Sequence, residues 1–91
     1  MPQEHKPRRG TPEYERILEE ERLILAATEL VCGLMKKQNV SRADLARTIG
    51  RTRGHVTQVL DGSRNMTLRT LADIAFALGH RAEVAARPRT A

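Results

Sequence analysis

Residues 41–62 read as two short helices joined by a three-residue turn, and this unit constrains the fold more than any other feature of the chain. Asn39, Val40 and Ser41 form a turn that ends in a capping hydroxyl, with Asp44 three residues on, where a capping box places its acid. A helix bearing Leu45, Ala46 and Ile49 follows, and Gly50 stops it. Thr52 caps a second helix, in which Val56, Val59 and Leu60 make a buried i, i+3, i+4 stripe before Asp61 and Gly62 end it. Packing accounts for these residue types. Ala46 is small because the second helix crosses over it, Gly50 allows the sharp turn, and Val56 and Val59 press the second helix down. Each residue alone carries no information; their spacing does.

The rest of the chain fits around this unit. Ninety-one residues leave room for one small domain and exclude a two-domain enzyme. Tyr14 and Phe76 are the only aromatics, so the core must be built from Leu, Ile, Val, Ala and Met, which favours helices. Residues 1–12 hold Pro2, Pro7 and Gly10 with almost nothing apolar, and are expected to be a flexible basic arm. Pro12 itself suits a helix start. Tyr14, Ile17, Leu18, Ile24, Leu25, Val31, Leu34 and Met35 then recur at helical intervals, acids early and Lys36 and Lys37 late, as the helix dipole favours. This predicts a long helix over 13–37, about 37 Å at 1.5 Å per residue, with room for a break at 19–22. After a polar loop at 63–66, Thr67 caps a fourth helix with Leu68, Leu71, Ala72, Ala75 and Leu78 inward and Gly79 at its end. Residues 81–91 form a tail in which weak alternation around Ala82 and Val84 leaves room for a short strand. The expected fold is thus all-α: a small bundle of about four helices with a central helix-turn-helix at 13–80, a long N-terminal helix and a short C-terminal extension.

Cys32 is alone, and no long apolar run or signal-like segment is present, so a reduced, cytoplasmic protein with no membrane partner is expected. His5, His55, His80 and Cys32 are scattered without the paired spacing of a zinc site, and no cofactor motif is found; neither metal nor cofactor is expected. An enzyme is disfavoured because no nucleophile elbow, phosphate-binding glycine loop or separated acid pair occurs.

Charge is concentrated. Residues 1–40 carry seven basic and seven acidic side chains, whereas 41–69 carry Arg42, Arg47, Arg51, Arg53, Arg64 and Arg69 against Asp44 and Asp61. Most of the formal charge of +5 therefore lies in one stretch, with arginine as its carrier, and duplex DNA is the first partner this suggests. Cations at a helix N-terminus oppose the dipole by about 0.3–1 kcal/mol each, so stability alone disfavours them. Yet Arg42 follows the cap Ser41, Arg53 follows Thr52, and Arg69 lies two places after Thr67. Capping hydroxyl, free backbone N–H groups and arginine together attract anions.

The stretch SRADLARTIGRTRGHVTQVLDG at 41–62, with TLRTLADIAFALGHRAEV after it, resembles the helix-turn-helix of the Xre family, the group of phage Cro and repressor proteins and many bacterial regulators and antitoxins. The resemblance covers roughly residues 23–84 and departs from the pattern at Arg51 and in the length of the first helix. It implies that the N-termini of these helices lie along a DNA backbone. On the 52–61 helix, a 100° step per residue puts Gly54, Gln58 and Asp61 opposite the buried stripe, with His55 and Thr57 on the flanks. Arg53, Gly54, His55 and Gln58 are accordingly expected to face bases, and Arg42, Arg51, Thr52, Thr57, Arg64, Asn65 and Arg69 to hold phosphates. Gly54 has two readings: a close approach to the groove floor, or a tolerated surface glycine. Arg47, near a helix C-terminus, is expected to be structural.

One recognition helix reads few base pairs, so a homodimeric repressor on a palindromic operator is expected. Tyr14, Ile17 and Leu18, or an edge pairing around Ala82 and Val84, are the candidate interfaces. The rival function is an antitoxin that binds a protein toxin and represses its own operon; a third is a purely protein-binding module using the basic face.

Overall fold

The computed structural model describes residues 8–62 and 64–89. Four helices follow one another: α1 Pro12–Gln38, α2 Arg42–Ile49, α3 Arg53–Leu60 and α4 Leu68–Ala77. Hydroxyl residues start all four. Thr11, Ser41, Thr52 and Thr67 each adopt extended backbone and accept a hydrogen bond from an N–H three residues on. At α2 the box is reciprocal, the Asp44 N–H donating to Ser41 Oγ at 3.0 Å and the Ser41 N–H to Asp44 Oδ2 at 3.4 Å.

The helix ends are closed as firmly. Asn39 (φ 57°) and Gly50 (φ 71°) turn left-handed, which lets the Val40 N–H reach the Met35 carbonyl at 2.9 Å and the Arg51 N–H reach that of Ala46 at 2.8 Å. Asn39 is the one non-glycine residue with positive φ among those described, and asparagine is the side chain that bears this conformation best after glycine.

Val31 and Met35 of α1, Leu45 and Ala46 of α2, Val56 and Leu60 of α3, and Ile74 and Leu78 at the end of α4 form a single core with no buried polar side chain among the described residues. Leu34, Val40, Ile49, Met66, Leu71 and Ala77 pack around its margin. The α2 and α3 helices pack on one another across Gly50, α4 closes over α2, and α1 lays its C-terminal end against α3 and α4. The Gln38 Nε2 donates to the Leu78 carbonyl at 2.7 Å and ties the ends of α1 and α4 together.

The structure departs from expectation in several places. Helix α1 runs unbroken through 19–22, since the five residues from Glu19 to Leu23 are good helix formers and nothing there interrupts the ladder. Pro12 starts α1, as its fit to a first helical position predicts, and the departure lies at Thr11, which caps the helix and whose hydroxyl also donates to the Arg8 carbonyl at 2.7 Å, so the expected arm at 1–12 gives up these two residues; 1–7 lie outside the described residues. Only Val31 and Met35 of α1 are buried; Ile24 and Leu25 are exposed because the other three helices reach no further along it. In α4 the inward stripe is Leu71, Ile74, Ala75 and Leu78, while Leu68 and Ala72 face out: the contact with the other helices is centred toward Ile74, a few tens of degrees round the helix from the expected face, and leaves Leu68 in the first turn uncovered. No strand forms at Ala82 and Val84. Residues 81–89 make no backbone pairing among the described residues, and a strand needs a neighbour to supply its ladder.

Leu45→Ala should cost about 2–5 kcal/mol of stability, whereas the same truncation at Leu23, 73% exposed, should stay within about 0.5 kcal/mol; chemical denaturation of both variants measures the contrast.

Candidate nucleic-acid interface

Helix α3 is split into two faces. Val56, Val59 and Leu60 are buried, Gly54 and Gln58 are exposed, and His55 and Thr57 are half-buried on the flanks. Arg53, at the first helical position, is exposed as well. The cap that precedes it is occupied, the His55 N–H donating to Thr52 Oγ1 at 3.0 Å. This hydroxyl serves the helix start, and the other N–H groups of the first turn stay open to an anion.

Arg51, His55 and Arg64 come together. The Arg64 N–H donates to the Gln58 carbonyl at 3.1 Å, which folds the loop after α3 back along the helix. His55 is held below the ordinary imidazole range near 6.5, by partial desolvation first and then by the positive charges of Arg64 and Arg51. Three groups that are or can become cationic thus share one surface, and none of them is in an ion pair among the described residues. Arg42 and Arg69 lie on the first turns of α2 and α4, both exposed and in no ion pair among the described residues. Asn65 is exposed beside Arg64.

The ion pairs among the described residues engage other arginines. Arg16 meets Glu20, Arg89 meets Glu15, and Arg47 meets Asp44 on α2. Asp44 is held below its usual range, chiefly by its hydrogen bonds to Ser41 and then by Arg47. Arg47 is accordingly committed to the helix it sits on, while Arg42, Arg51, Arg53, Arg64 and Arg69 stand outside every ion pair among the described residues.

Glycine at 54 is not demanded by the fold. A Cβ there would meet only Thr52 Oγ1, at 4.0 Å, and the backbone is ordinary helix. Packing inside the chain therefore does not require a glycine here, which fits both a tolerated surface glycine and a close external approach. Phe76 is a surface residue that sequence reasoning misses, since helical periodicity alone gives it no role. The available signal is its position outside the 71, 74, 75, 78 stripe.

This geometry has a counterpart among known families. The Cro/C1-type helix-turn-helix DNA-binding domain matches residues 33–82, and the chain belongs to that family. No curated protein and no solved structure matches it. The matched segment takes in α2, α3, α4 and the last turns of α1. Among the described residues, no helix is long and apolar enough to cross a membrane.

Gly54→Ala should leave the free protein as stable or stabilise it by up to about 1 kcal/mol, read by thermal melting, since the added Cβ meets open space. His55 also sets a pH dependence. Its folded form prefers to be neutral, so the unfolded chain takes up a proton more readily; its share of stability is present above about 6.5 and declines as the pH falls through that value. His55→Gln should flatten this limb of the stability-versus-pH curve, and an unchanged limb would refute the assignment.

Proposed function

We propose that the protein is a sequence-specific double-stranded DNA-binding transcriptional regulator, acting as a homodimeric repressor at a palindromic operator. The observation that carries this is the threefold recurrence of one arrangement. Helices α2, α3 and α4 each begin with an engaged capping hydroxyl and an exposed arginine in the first turn: Arg42, Arg53 and Arg69. None of the three is in an ion pair among the described residues. Each costs stability against the helix dipole, and an anion would reverse the sign. A DNA backbone is the anion that membership of this family brings with it.

In this reading Arg42, Arg51, Thr52, Thr57, Arg64, Asn65 and Arg69 hold phosphates. Arg53, Gly54, His55 and Gln58 face base edges, with Arg53 suited to guanine and Gln58 to adenine, and Gly54 letting the helix backbone approach the groove floor. Protonation of His55 would then be favoured on DNA, where phosphates offset Arg51 and Arg64.

A second reading is favoured by a specific observation. Before Val31, α1 leaves Leu23, Leu25 and Leu30 exposed beside Glu13, Glu19, Glu20, Glu21 and Glu29. An apolar and acidic helix of this kind suits a protein partner, which is what an antitoxin that also represses its own operon would need. A toxin-like reading frame beside the gene, whose product binds the wild-type chain and not Leu23→Asp, would support it.

The test of the DNA reading is a set of variants on an operator selected from random duplexes. Arg53→Ala and Gln58→Ala should each relax specificity at one position by about 1–3 kcal/mol. Arg42→Ala and Arg69→Ala should instead weaken all duplexes alike, each lowering the salt slope by about one for every phosphate left without its arginine. Unchanged operator binding by Arg53→Ala and Gln58→Ala together would refute the base-reading assignment.

A further inference from the structure

Phe76 is 84% exposed on α4, and Val84, beyond the end of that helix, is 83% exposed. Leu68, 74% exposed, lies two i, i+4 steps before Phe76 on the same side of α4, with exposed Ala72 between them. A stripe of this size with an aromatic at its end is what an interface core is made from. Beside Phe76 is an open hollow of about 590 Å³, lined by Phe76, Gly79, His80, Arg81 and Glu83. Backbone hydrogen bonds fix the turn that forms its wall. Gly79 turns with φ 73°, its N–H donating to the Phe76 carbonyl at 3.0 Å, and the His80 N–H donates to the Ala75 carbonyl at 2.8 Å. Gln38 holds the Leu78 carbonyl from the other side.

We infer that this surface is where two copies of the chain meet, the Phe76 of each filling the hollow of the other. Its use as a repressor interface rests on the DNA-binding reading above. A second copy, and not an unrelated protein, is specified by self-complementarity. A two-fold contact requires that if one residue touches another, the reverse contact is also made. Projection and hollow occupy the same patch, so one rotation satisfies both. The charges obey the same rule. Arg81 and Glu83 flank the small Ala82, and neither is in an ion pair among the described residues. Two tails crossing antiparallel about Ala82 set Arg81 against the partner's Glu83, twice. The alternative surface at Tyr14, Ile17 and Leu18 is already half-buried by its own chain, whereas Phe76 and Val84 stand almost wholly in solvent.

The experiment is sedimentation equilibrium of the full chain over a wide concentration range, with duplex binding measured in parallel. The wild type should be a dimer. Phe76→Asp should weaken dimerisation by about thirtyfold or more, the scale of an interface hot spot, with an unchanged circular-dichroism spectrum and, at concentrations where both proteins are monomeric, an unchanged melting curve, because the side chain is exposed in the single chain. Arg81→Glu and Glu83→Arg should each weaken it by about tenfold for two like-charge contacts, and the double exchange should restore it. A monomeric wild type, a Phe76→Asp dimer of undiminished affinity, or a double exchange that fails to restore would each overturn the interface. All these variants keep the arginines assigned to phosphate, so they should keep low-salt binding to arbitrary duplex. If the wild type dimerises as described and binds no duplex, the DNA reading fails while the interface stands.

Discussion

The burial of Ala46 and Val56 where α2 and α3 cross is the interaction on which everything else depends. Gly50 makes it attainable, because a left-handed residue there brings the start of α3 back over α2 within three residues. Once α3 is held by Val56, Val59 and Leu60, its opposite face has no alternative to solvent. Arg53, Gly54 and Gln58 are displayed because the valines are hidden. In the proposed reading, the face offered to DNA is thus a consequence of which side of one short helix is apolar.

The second constraint is electrostatic. Four capping hydroxyls start four helices, and at three of them a cation sits where the dipole resists it. Where the fold alone governs, the chain behaves differently. Helix α1 begins with Glu13 and Glu15 and ends with Lys36 and Lys37, as the dipole prefers. Helix α2 places Asp44 in its first turn and lets Arg47 neutralise it. The charges on α1 follow its dipole, whereas Arg42, Arg53 and Arg69 at the starts of α2, α3 and α4 oppose theirs, and the proposed DNA contact is what would offset that cost.

Much of this is legible in the residues themselves. Caps, glycine stops and the three-residue turn are local signals. Thr11 is the one cap that stays hidden, because it sits at the edge of a polar, proline-rich segment that reads as an arm. The split of α3 into buried and open faces follows from a 100° step and needs no tertiary information. What the sequence does not disclose is set by neighbours. Leu68, Ile24 and Leu25 are apolar at helical intervals, yet only packing with other helices decides which apolar residues are core, and the bundle is too short to reach them. Ile74 is buried for the converse reason. The tail around Ala82 has strand-like alternation but no adjacent strand, and alternation cannot create one. The clustering of Arg51, His55 and Arg64 depends on the loop after α3 folding back through the Arg64 to Gln58 backbone hydrogen bond, which has no sequence signature.

The most direct measurement is the dependence of the logarithm of operator affinity on the logarithm of salt concentration for the unmodified protein. In the proposed reading Arg42, Arg51, Arg64 and Arg69 would supply four phosphate-neutralising cations in each chain and twice that in a dimer, so the slope should be about −7. A slope near zero, with binding that survives high salt undiminished, would mean that these arginines do not meet a phosphate backbone.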